Sequence, residues 1–83
     1  MEIFERIRIV REAEHLGRHK FCLITGINKG SLEQIETGRR PNFAAIELEK
    51  VGKNFPNYAV FLMTGEKTEE IKEKIDKKLS KYR

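Results

Sequence analysis

The chain has 83 residues, room for one small domain and a short appendage, which excludes an enzyme built from separate cofactor and substrate domains. Seventeen Lys and Arg face thirteen Asp and Glu, a net charge of +4 at pH 7, and that excess suits a polyanionic partner. So short a chain leaves roughly 40% of its extended-state surface in water, and the single Cys22 closes no internal disulfide. Helix packing, with a second copy, is expected to stabilise it. The lone cysteine fits a reducing compartment. No apolar run approaches the roughly 18 residues of a membrane span, and the opening Met-Glu-Ile-Phe-Glu-Arg mixes signs unlike a signal peptide; the expectation is a soluble, cytoplasmic protein.

Ile3, Ile7 and Val10 fall at i, i+4, i+7 with Phe4 beside them, and Glu5, Arg6, Arg8, Arg11, Glu12 and Glu14 fill the other faces. This predicts a first amphipathic helix, broken at Gly17. Alternation at Ile7 and Ile9 would allow a strand, but about 13 residues without Gly or Pro favour a helix. A second helix over 18–25 has Gly17 as its N-cap and Phe21, Cys22, Ile24 and Ile27 as its apolar set, with Gly26 taking the left-handed turn. Asn28 caps a third, with Leu32 and Ile35 inward, ending at Thr37-Gly38 before Arg39-Arg40-Pro41.

Asn42 is expected to cap a fourth helix that buries Phe43, Ile46, Leu48 and Val51. Pro56 suits the first turn of a fifth, which carries Tyr58, Phe61, Leu62 and Met63 and stops at Thr64-Gly65. Beyond Glu66 the composition turns strongly charged. Ile71, Ile75, Leu79 and Tyr82 lie within an arc of about 80°, with Thr68 as N-cap and Glu70–Lys74 and Glu73–Lys77 spaced for i, i+4 pairs. The reading is all-α: a five-helix domain over 1–65 and a charged helical tail over 66–83.

The stretch from Leu16 to Pro41 resembles the helix-turn-helix of the Cro/repressor (XRE-like, lambda-repressor-like) DNA-binding family. The resemblance rests on Phe21, Cys22, Ile24, Thr25-Gly26-Ile27, Leu32, Ile35-Glu36, Gly38, Arg39 and Pro41, and extends over about residues 3–65. Independently, two helices joined by a short turn must approach closely, which suits a small side chain at Cys22 and a glycine at Gly26. The resemblance implies a helix-turn-helix over 18–37 whose third helix enters the major groove by its amino-terminal end.

On that basis Asn28, Lys29, Gly30, Glu33 and Gln34 are the expected base contacts. Lys29 suits guanine O6 and N7, and Gln34 suits adenine N6 and N7. Gly30 offers no side chain, so either the backbone approaches closely or few side chains carry the preference. Glu33 could accept from cytosine N4, though an i, i+4 pair with Lys29 is favoured. Arg18 stands where relatives often have Gln at a phosphate; His19, Lys20, Thr37, Arg39 and Arg40 complete the expected phosphate contacts. Within residues 16–42 five basic side chains (Arg18, Lys20, Lys29, Arg39, Arg40) oppose only Glu33 and Glu36, so three of the four surplus charges lie in under a third of the chain. Arg11 and Glu36 match family positions that form a buried ion pair orienting the recognition helix.

For the tail, packing back on its own domain, pairing with a second subunit through Ile71, Ile75, Leu79 and Tyr82, and lying on a membrane surface are all open. The family's habit of binding palindromes as dimers favours a dimerisation role. The expected function is a dimeric, nucleoid-associated repressor of phage or prophage type on a palindromic operator of double-stranded DNA, with induction acting through loss of dimerisation, an antirepressor or turnover. The alternative is an antitoxin-like or restriction-modification controller protein whose tail binds a protein partner such as a toxin. An enzyme is not expected: His15 and His19 form no His-Glu-x-x-His motif, no phosphate loop is present, and no nucleophile sits beside a base. Neither a metal nor a cofactor is called for, since Cys22 reads as a small core residue. RNA is disfavoured because no stacking aromatics interleave with basic residues.

Overall fold

The computed structural model describes residues 2–40 and 45–80. It is built of α-helices, with no strand among the described residues: α1 (Ile3–Ala13), α2 (Arg18–Thr25), α3 (Lys29–Glu36), α4 (Ala45–Asn54), a 3-10 turn (Pro56–Tyr58), α5 (Ala59–Thr64) and α6 (Glu69–Leu79). The expected cap Asn42 and the inward Phe43 lie outside the described residues, as does Tyr82.

α1 is the hub, packing against α3, α5 and α6. Its buried set is therefore wider than a one-sided stripe: Ile9 and Ala13 join Ile7 and Val10, while Ile3 is only half-buried. Its end is also earlier than Gly17. His15 takes the left-handed conformation (φ 58°), with His15 N–H donating to Glu12 O at 2.9 Å and Leu16 N–H to Arg11 O at 3.1 Å. That pair of bonds is a Schellman motif with histidine in place of the usual glycine. Gly17, extended at φ −73°, only begins α2.

α2 touches α3 and α4 along one line of positions 18, 21, 22 and 25, the i, i+3, i+4, i+7 of a short helix. Phe21 and Thr25 are buried on it and Cys22 half-buried, whereas Ile24, expected inside, lies off the line and is 46% exposed. Phe21 stacks on Phe55 with ring centroids 5.4 Å apart. Ile46 is corrected likewise: about 160° around α4 from Leu48, it faces out, while Val51 is buried. Gly26 and Gly65 end α2 and α5 at φ 80° and 82°, conformations that cost a residue with a Cβ.

α6 settles the question left open for the tail. It lies on α1 and the 3-10 turn, and Ile71 and Ile75 are fully buried in the same core as Ile7, Val10, Leu32 and Phe61, with Leu79 packed at its edge. Their expected assignment to a dimer face is corrected, because these side chains are covered by their own chain. The division at residue 65 does not separate two cores. The i, i+4 pairs expected along α6 are not formed either: Lys74 reaches Glu14 of α1 and Lys67 pairs with Asp76. Thr68 occupies the N-cap position, but its hydroxyl makes no cap bond.

Candidate nucleic-acid interface

A buried carboxylate holds the two central helices in place. Glu36, in the last turn of α3 with its side chain fully enclosed, accepts from Arg11 Nε at 2.7 Å and Nη2 at 2.8 Å, and from Arg18 Nε at 3.1 Å. Arg11 Nη1 also donates to Leu16 O at 2.9 Å. One side chain of α1 thus fixes the end of α3 and the entry to α2. The hydrogen bonds to Glu36 hold the Arg11 guanidinium protonated even above its ordinary range, against the opposing effect of burial.

Between α2 and α3 the turn is only Gly26-Ile27-Asn28. Thr25 Oγ1 donates to Phe21 O at 2.8 Å and accepts from Ile27 N–H at 3.3 Å, inside the core. The sequence named Thr25 only as part of the turn and not as a buried pin, although its position on the 18-21-22-25 line was a usable signal. Ile27 is buried beneath the turn. Asn28 Oδ1 accepts from the N–H groups of Gly30 and Ser31 at 2.9 and 3.3 Å, capping α3. A Cβ on residue 30 would sit 3.3 Å from that oxygen, so glycine there leaves the cap uncrowded.

With Leu32 and Ile35 buried and Glu36 locked, the opposite side of α3 presents all five expected base-contact positions, Asn28, Lys29, Gly30, Glu33 and Gln34, to solvent. The favoured pairing of Glu33 with Lys29 is not formed: no ion pair joins them among the described residues. Asn28 has its oxygen engaged by the cap and keeps its amide donors for a ligand.

The expected phosphate contacts divide. His19, Lys20 and Arg39 are exposed. Gly17 brings no capping side chain to α2, so first-turn N–H groups lie open beside Arg18, His19 and Lys20, an arrangement that favours an anion. Arg18 gives its Nε to Glu36 and retains its outer nitrogens. Arg40 instead donates through both Nη atoms to Glu47, at 2.7 and 3.4 Å, and Thr37 turns its hydroxyl hydrogen onto Glu33 O at 2.8 Å. In this structure those donors of Arg40 and Thr37 are engaged within the chain.

Elsewhere, burial pushes the Cys22 thiol above its ordinary range, which keeps it protonated at neutral pH. No group of three or more His, Cys, Asp or Glu that could hold a metal occurs among the described residues, and no helix there is long and apolar enough to cross a membrane. Compared with family models, curated proteins and solved structures, the chain finds no match in any of the three.

Proposed function

We propose that this protein is a sequence-specific regulator that binds double-stranded DNA through a helix-turn-helix formed by α2 and α3. One juxtaposition carries the reading. A short helix fixed from behind by the Arg11–Glu36–Arg18 cluster exposes a face of hydrogen-bonding side chains, while basic groups and open N–H groups at the start of α2, with Arg39 beyond α3, flank it. A rigidly held polar helix face suits reading base edges, and flanking cations suit phosphates. In this reading Lys29 and Gln34 discriminate bases, Asn28 contributes its amide donors, and Arg18, Lys20 and Arg39 grip the backbone. In the same reading the protein represses by occupying a palindromic operator as a homodimer.

The partner-binding alternative drew its support from the apolar stripe on the tail, and Ile71 and Ile75 of that stripe are buried in α6. Alanine at Lys29 or Gln34 is expected to cost about 1–3 kcal/mol on the preferred sequence and to relax the preference at one position. Alanine at Arg39 should weaken all sequences alike and flatten the salt dependence. Titrations of matched and single-base-altered duplexes at fixed salt separate the two classes; identical behaviour would overturn the assignment of readers and anchors.

A further inference from the structure

Between the end of α1 and the later turns of α6 lies an open hollow of about 300 Å³, lined by Ala13, His15, Glu73, Lys74, Lys77 and Lys78. Three ammonium groups and an imidazole gather there around one carboxylate. Lys74 also reaches Glu14 at 3.5 Å, while no ion pair holds Lys77 or Lys78 among the described residues. The dipole of α6 favours cations in its last turn, which accounts for how late in the helix Lys77 and Lys78 stand. It does not account for their sharing one side with Lys74, at i, i+3, i+4, against the end of α1.

His15 is the second observation. It closes α1 at φ 58°, a conformation that glycine adopts freely and residues with a Cβ seldom do. Glycine would complete the same turn; the exposed imidazole is what the hollow gains.

The third is position. Three residues carry the chain from His15 to Arg18, so their Cα atoms lie within about 10 Å, and the hollow adjoins the open N–H groups at the start of α2. Along one strand of a duplex that distance covers about three phosphates.

From these we infer that the α1–α6 hollow binds backbone phosphates of the duplex beside the bases read by α3, with Lys77 and Lys78 as anchors and His15 as a further donor. Lysine acts on a phosphate as a point charge, and such contacts add affinity without base preference. The inference rests on the DNA-binding reading and extends its footprint onto α6, where no DNA contact was expected.

The test is made on the full chain, with a preferred duplex, the same duplex lengthened by about five base pairs at each end, half a helical turn, and a duplex of unrelated sequence, each titrated across a salt series. Lys77→Gln with Lys78→Gln should reduce the slope of log affinity against log salt by about 2 on every duplex, remove any gain from the added flanks, and leave the ratio of preferred to unrelated affinity unchanged. Lys72→Gln, on α6 but outside the hollow, should alter the slope far less. His15→Gly should weaken every duplex alike without lowering the melting temperature. A double variant that keeps the slope of the unaltered chain, or one that Lys72→Gln equals, would overturn the inference and leave the reading of bases by α3 standing, since that reading is checked by Lys29→Ala. A chain that binds none of the duplexes would overturn both.

Discussion

Glu36 is the residue on which the arrangement of α1, α2 and α3 turns. Three N–H groups from two arginines satisfy it in a fully enclosed position, and such a cluster is more costly to break than to replace. Glu36→Ala leaves the Arg11 guanidinium, itself 9% exposed, without its partner, and should lower the unfolding free energy by about 3–5 kcal/mol in urea titrations. Replacing Arg11 and Glu36 together by Met and Leu should recover most of that loss; a Glu36→Ala cost below about 1 kcal/mol, the scale of an exposed pair, would show that the cluster does not fix the fold. Tyr58 is the second informative residue. Its hydroxyl donates to Glu14 Oε2 at 2.7 Å, and burial, then that bond, push the phenol well above its ordinary value of 10.0. The folded chain thus keeps a proton that the unfolded chain releases, so the contribution of Tyr58 is complete below pH 10 and is lost as pH rises toward the folded value. Stability measured on both sides of pH 10 should fall more steeply for the unaltered chain than for Tyr58→Phe, which keeps the neighbouring Lys74–Glu14 pair. Equal slopes would contradict the shift.

Much of the element order was legible because the signals were local. The Gly26 and Gly65 stops and the Asn28 cap depend on backbone geometry within a few residues, so α2 and α3 stand at the positions their sequence suggests. What was not legible depended on neighbours distant along the chain. Ile9 is buried because α1 is surrounded on several sides, and Ile24 and Ile46 are exposed because short helices each touch their partners along one line. His15 takes the left-handed position that Gly17 was expected to supply, since the bonds closing the turn come from Glu12 and Arg11. In the candidate interface the solvent-facing arc of α3 followed from periodicity, and its reading as base contacts only from the resemblance. The diversion of Arg40 to Glu47 and of Thr37 to its own helix did not, because both are choices among competing acceptors. α6 shows the same limit: its stripe was plain, its partner was not. Burying Ile71 and Ile75 contributes about 1.5–3 kcal/mol apiece, a large share of the stability of so small a domain. A chain ending at Gly65 should therefore lose its cooperative thermal transition. A truncated chain that melts cooperatively near the full-length temperature would return α6 to the status of an appendage.

At the scale of the whole molecule, the basic surplus gathers where α2 begins and beyond α3, around a helix start without a side-chain cap and an exposed polar face. Uncovered apolar side chains stand on α2 itself, at Leu23 and Ile24, and on α4 and α5, at Ile46 and Met63. Specific recognition of DNA by α3 is put to the test by selecting bound duplexes from a random pool at fixed salt. Enrichment is expected of a motif with two inverted half-sites centred about 34 Å apart, with loss of base preference at the same position in each half for Lys29→Ala. A pool that enriches no motif, or one whose motif is unchanged by Lys29→Ala and Gln34→Ala, would contradict it.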